Sequence, residues 1–181
     1  MDLRSLYYSL PVALRYPARK LYFLFKPEKT QYYNGIRLPK SGEIFTGRGN
    51  FLEIGFTVRE NLLKFAGLNS RSHVFDIGCG LGRVAIPLTS EIKEGEYHGL
   101  DIVKKGINYC REQISTKFPN FHFHHQPLFN DLYTSGGKKA TETSFPVADN
   151  SMDIVIANFL FTHLIPEETE RYIEETARIL K

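Results

Sequence analysis

Tryptophan is absent from the 181 residues, and cysteine and methionine occur twice each. Two cysteines cannot build the multi-bridge framework of a small secreted domain, so a disulfide scaffold is excluded. Cys79 lies between two glycines of a candidate ligand loop, and it and Cys110 are expected as free thiols in the reducing cytoplasm. No apolar run reaches the roughly 18 residues of a spanning helix. The N-terminus lacks the apolar stretch and small-residue cleavage site of a signal peptide. The expectation is a soluble, cytoplasmic protein.

Neither sign of charge dominates the whole chain, whose net charge is +3, but the two parts differ. Residues 1–72 hold twelve Lys/Arg against five Asp/Glu, whereas residues 73–181 hold eleven against fifteen. A basic, aromatic-rich front can meet nucleic acid, an acidic substrate or anionic lipid, so peripheral membrane contact through it stays open. The plainer reading is a solvated basic surface, and nucleic acid is not the expected partner. An apolar content of 42% is enough to bury one ordinary core.

Pro11, Pro17 and Pro27 interrupt the aromatic front, which argues against a long amphipathic helix there. Gly35, Pro39, Gly42, Gly47 and Gly49 predict an irregular segment over 32–50. Residues 1–50 are therefore read as an arm, a substrate lid or interaction segment, and 51–181 as the main domain. Helical spacing of Leu52, Phe56, Leu62, Leu63 and Phe65 predicts a helix over 51–66 that stops at Gly67. Strands are predicted over 73–77, 97–102, 121–125 and 152–159, and helices over 82–90, 104–118 and 166–180, with a polar loop at 130–144. Strands alternating with helices imply an α/β fold, a doubly wound, mostly parallel Rossmann-like sheet with helices on both faces.

The sharpest local signal is VFDIGCGLGRV at 74–84, a strand ending in an acid and then in glycines spaced by single residues. Glycines at 78, 80 and 82 permit backbone angles closed to other residues and a close approach to a ligand. Asp76 favours a cationic group. A phosphate-cradling loop would carry Lys and Ser/Thr after its last glycine, and a dinucleotide fingerprint would carry glycine at 83, where this chain has Arg.

This stretch resembles the first motif of class I S-adenosylmethionine-dependent methyltransferases, in which the loop, here Gly78, Cys79, Gly80 and Gly82, wraps the cofactor's methionine moiety. A second acid, Asp101, stands nineteen residues beyond Gly82 at the end of the next predicted strand, a position suited to ribose hydroxyls. An N-capping role for Asp101 is the alternative. The resemblance implies that Asp101 holds the ribose and that Ile102 packs on the adenine. It covers about residues 51–181 and includes FPVADNSMDIVIANFLFTHLIPEETERYIEETARILK at 145–181, similar to the fourth strand and following helix of the small-molecule branch. It places Asn158 and Phe159 where that strand opens onto the transferring methyl. Many relatives carry an acid for the adenine amino group after the third strand; this chain reads HHQPLFND, which leaves Gln126 as the nearest acceptor and Asp131 as a second candidate.

His163 is a candidate general base, although a structural role where loop becomes helix is the plainer reading. On an extended strand His122 and His124 share a face and His125 takes the other, so two rings at most can share a metal, and no metal is expected. Cys79 is read as a packing residue of the loop without catalytic function. The family's chain normally continues into further strands, so the sheet is expected to be truncated after the helix following strand four. The chain is then either a fragment of a longer protein or a shortened one, with the missing portion supplied by homodimerisation or lost. Three functions follow in order: methyl transfer from S-adenosylmethionine to a small-molecule substrate, a non-catalytic binding module, and RNA modification.

Overall fold

The computed structural model describes residues 28–45, 50–128, 140–158 and 160–181, with scattered positions from 9 to 23. Most of the proline-interrupted front lies outside the described residues. The segment predicted to be irregular holds a small hairpin, β1 (Tyr32–Tyr33) and β2 (Ile36–Arg37). Asn34 and Gly35 both take positive φ, 48° and 74°, which is the two-residue turn whose twist matches antiparallel strands. Sequence reading saw only glycine density there; the adjacent Asn-Gly pair was the informative part. The hairpin is docked, because Asn34 Nδ2 donates to Thr89 Oγ1 and Ser90 Oγ at 3.1 and 3.0 Å and Ile36 is fully buried.

Helix α1 (Phe51–Phe65) begins at Asn50, whose side chain accepts from the Leu52 and Glu53 amides. It ends as expected at Gly67, φ +67°, with the Ala66 and Leu68 amides both returning to the Leu62 carbonyl. A Cβ on Gly55 would lie 2.2 Å from the Arg83 carbonyl oxygen, so α1 can approach the segment after the glycine turn only through a residue without a side chain.

Four strands make one parallel sheet: β3 (Val74–Ile77), β4 (Tyr97–Asp101), β5 (Phe121–His125) and β6 (Ile154–Ile156), in the order β5-β4-β3-β6. The chain winds outward from β3 to β5 and then returns to the other side of β3. That reversal opens a crevice at the carboxyl ends of the strands, where ligands bind in doubly wound sheets. Helices α2 (Ala85–Leu88) and α3 (Lys104–Cys110), the latter running into a π turn at Arg111–Ser115, pack with α1 on the face bearing Val74, Tyr97 and Phe121. Helix α4 (Pro166–Ile179) covers the opposite face through Tyr172 and Ile179 against Phe75, Ile77 and Leu100.

Three elements are shorter than their apolar runs suggested. Helical structure at 82–90 is confined to α2, and Gly82 at the start of that stretch, φ +73°, is outside helical geometry. The 104–118 helix widens after Cys110, and β6 keeps three residues of a predicted eight. Both sheet edges are partly occupied. Arg111 donates through Nε and Nη2 to the Phe123 carbonyl (2.9 and 2.7 Å), and Ser115 Oγ to that of Phe121, which satisfies outward groups of β5. Beside β6, Leu180 forms a parallel bridge with Met152, and the Lys181 amide donates to the Met152 carbonyl. The edge beyond β6 thus carries one parallel bridge, supplied by this chain's own Leu180.

Candidate functional site

The carboxyl end of β3 delivers Asp76 and then the glycine turn. Gly78, Gly80 and Gly82 adopt φ of 81°, 57° and 73°, all in the left-handed region that side chains disfavour. The amides of Gly78 and Cys79 donate to the Leu100 carbonyl at 2.8 and 3.0 Å, and that of Gly80 donates to Asp101 Oδ2 at 2.7 Å. These three N–H groups are spent on β4 and are not free to cradle an anion, which agrees with the sequence argument against a phosphate loop.

Asp76 and Asp101 stand on neighbouring strands and the same sheet face: Asp76 is opposite Gly99, two residues before Asp101. Asp76 is 2% exposed, and the Tyr97 hydroxyl donates to its Oδ2 at 2.5 Å. Burial pushes its carboxyl up to about 7, held back by the Tyr97 hydrogen bond and raised further by the nearby Asp101 carboxylate. Burial also raises Asp101, opposed by the amides of Val103 and Gly80. The Val103 amide donates to Asp101 Oδ1 at 2.7 Å, so this acid braces the entry to α3 as well as the glycine turn. The N-cap of α3 is Val103, without a side-chain cap bond, so Asp101 stands two residues before the cap position and not at it. Its carboxylate keeps acceptor capacity beyond the backbone amides it already serves.

The remaining predicted residues sit around this crevice. Ile102 is half-buried against the α4-side core. Gln126 follows β5; its Nε2 donates to the Ser144 carbonyl at 3.0 Å, and its buried Oε1 has no partner among the described residues. Asn158 is half-buried two residues beyond β6, the strand beside β3. Leu160 reaches back to 3.5 Å from the position a Gly78 Cβ would take, so the segment after β6 crosses the turn. Phe159, Asp131 and the side chain of His163 lie outside the described residues; the His163 backbone belongs to a 3-10 turn, Phe161–His163. Cys79 is buried, its thiol pushed well up by burial, consistent with packing.

Sequence reading missed Tyr97, Gly99 and Gly106. A Cβ at Gly99 would meet Cys79 Sγ and Phe123 Cδ1 at 2.9 Å each, and one at Gly106 would meet the Gly80 carbonyl oxygen at 2.5 Å. Glycine inside a strand or helix was the available signal, since it marks a close approach.

A family model described as a methyltransferase domain matches residues 74–181. The chain belongs to the class I S-adenosylmethionine-dependent methyltransferase domain family. Within that family it is 28% identical over 129 residues to the release factor glutamine methyltransferase of Bacillus anthracis, covering 71% of this chain and 40% of that protein. It is 23% identical over 133 residues to the tRNA N(3)-cytidine methyltransferase METTL2 of Gallus gallus, covering 68% and 31%. The chain thus spans between about a third and two fifths of these relatives' lengths. Among solved structures, the PH0226 protein from Pyrococcus horikoshii OT3 aligns with a TM-score of 0.54 at 26% identity, over 71% of this chain and 52% of that one. The magnesium protoporphyrin IX methyltransferase from Synechocystis PCC 6803 with bound SAM shares the fold, with a TM-score of 0.50 at 20% identity over 75% and 62%.

Proposed function

We propose that this chain binds S-adenosylmethionine at the carboxyl ends of β3 and β4 and transfers its methyl group to a small-molecule acceptor. The observation that carries this reading is the pair of carboxylates on adjacent strands around a glycine turn whose Gly78, Cys79 and Gly80 amides are already spent. Such a site suits a ligand bearing a cation and hydroxyls, not a phosphate. Gln126 adds a fit of its own, since its buried Oε1, without a partner among the described residues, can accept from an adenine amino group.

When bound, the cofactor supplies an electrophilic methyl on sulfonium sulfur, taken by a nucleophile in direct displacement. The chain's own contribution is positional. Gly78, Cys79, Gly80 and Gly82 let the backbone close on the methionine end, and Asp76 beneath them favours its positive charge. Asp101 takes the ribose hydroxyls, and Ile102 with Gln126 takes the adenine. Asn158, just beyond β6, is assigned to the acceptor side; Phe159, named with it in the sequence reading, lies outside the described residues. His163 is assigned proton removal for acceptors that do not lose a proton readily.

Calorimetry with S-adenosylhomocysteine tests the binding step. One-site binding is expected, weakened about 10–100-fold in Asp101→Ala by loss of charge-assisted hydrogen bonds. Folded protein that gives no heat at millimolar ligand would sink the reading. Transfer of a labelled methyl group to any fraction of a cell extract separates an enzyme from a binding module. RNA modification is a second reading, supported by the basic excess of residues 1–72 and by the tRNA-methylating relative. Retention on RNA that falls steeply with salt is its expected outcome.

A further inference from the structure

We propose that Glu96, His98 and His122 form a binding site for a zinc-like divalent transition ion, at the end of the sheet opposite the glycine turn. Alternation along the chain puts Glu96 and His98 on one face, the α4-side face that also carries Leu100. Parallel pairing of β4 with β5 then sets His122 directly opposite His98, and His124 opposite Leu100. One strand alone offered two rings, as the sequence suggested; the neighbouring strand adds a third ring and a carboxylate to the same face. Register between strands is what sequence reading did not have.

The donor atoms are already gathered. Glu96 Oε2 lies 3.0 Å from His98 Nε2, the rings of His98 and His122 are 4.8 Å apart at their centroids, and one donor atom from each residue falls within 4.8 Å of the others. Tetrahedral zinc with ligands at about 2.0–2.1 Å needs donors roughly 3.4 Å apart, so rotation of side chains closes the site without moving a strand. Two imidazoles with one carboxylate select zinc-like ions over magnesium or calcium, which prefer all-oxygen shells. A half-exposed Glu96, 46% accessible against 13% for His98, leaves an approach from solvent and a fourth position for water.

His124 supplies what an isolated hydrogen-bonded Glu–His pair would not require. His98 Nδ1 is 3.1 Å from His124 Nε2, and the two rings stack at 9°. With Nε2 on the metal, His98 carries its proton on Nδ1 and donates it to His124. Ligating histidines in metal sites regularly make such an outer bond, which fixes ring orientation. An ion held here would tie the edge strand β5 to the central strand β4.

The test is titration of the full, tag-free chain, stripped with a chelator, with zinc in competition with a chromophoric chelator. One equivalent is expected to bind and to raise the melting temperature, with no binding of magnesium at millimolar concentration. Glu96→Gln and His122→Gln should each weaken zinc binding at least about tenfold, and His124→Gln about 10–100-fold through loss of the outer bond. Glu96 is half-exposed, so Glu96→Gln is the variant least able to disturb folding, and circular dichroism checks each protein. Substoichiometric zinc binding, equal competition by magnesium, or unchanged affinity in folded Glu96→Gln and His122→Gln would each overturn the proposal.

Discussion

At the scale of single residues, Asp76 is the position where folding and binding make opposite demands. Its carboxyl is pushed up to about 7 in the folded chain from an ordinary 3.8, so its stabilising contribution is complete below the unfolded value and is lost as pH rises through about 7. In cofactor-free protein Asp76→Asn should therefore raise stability at pH 8 by roughly 2–4 kcal/mol, with little gain at pH 4. Urea unfolding at the two pH values measures this. A cation bound beside Asp76 favours the ionised form, so affinity for S-adenosylhomocysteine should rise as pH passes through about 7, with proton release. Calorimetry in buffers of different ionisation enthalpy would detect the proton, and Asp76→Asn should remove that component. The placement of the two acids and three glycines was legible in the sequence because it depends on local order and on a strand-to-strand interval. Tyr97 was not: its bond to Asp76 joins residues 21 apart that only pairing of β3 with β4 brings together.

At the scale of elements, two contacts hold the crevice in shape. Gly106 lets α3 approach the glycine turn, and a methyl group there would meet the Gly80 carbonyl oxygen at 2.5 Å and Phe45 Cζ at 3.1 Å. Gly106→Ala gains up to about 1 kcal/mol of helix propensity. Overpacking against backbone costs about 1–3 kcal/mol. The expected result is a net loss of stability together with at least tenfold weaker cofactor binding, read by denaturation and calorimetry on one preparation. On the other face, Glu175 is 3% exposed and accepts from the Phe145 amide (2.7 Å), Arg171 and Arg178, joining α4 to the segment that leads into β6. Burial raises its carboxyl, but the hydrogen bonds of Arg178 and Phe145 prevail and hold it below the ordinary value of 4.5. Its contribution is present above that value and is lost as pH falls below it. Arg178→Ala leaves a buried carboxylate short of its main partner and should cost about 3 kcal/mol in urea unfolding at pH 7. Charge order along α4 was readable from sequence, yet the burial of Glu175 was not, since an acid in a run of Glu and Arg looks like part of a solvated face.

At the scale of the whole molecule, the order β5-β4-β3-β6 puts the reversal of winding beside the one strand that ends in the acid and glycines. Alternation of elements made that architecture legible, while strand order and the docking of the Tyr32–Arg37 hairpin depended on contacts distant in sequence. Because the proposed ligand touches the ends of several strands and belongs to the folded state alone, its binding should stabilise the entire unit. S-adenosylhomocysteine at about 100 times its Kd should add about 2.7 kcal/mol. For a chain of this size that corresponds to a melting-temperature rise of roughly 5–10 °C. Separate transitions for α4 and for the glycine turn would show that they do not form one cooperative body.

Beneath the glycine turn lie two sulfur atoms, Cys79 buried within it and Cys110 Sγ 3.7 Å from the Gly80 carbonyl oxygen. Both are buried while the turn is seated, and burial pushes both thiols well up, towards the protonated form. Modification by a thiol reagent must wait for the turn to lift, so labelling rate becomes a clock for that opening. A ligand lying across the turn should slow the clock at both positions, without the need to introduce a reporter group.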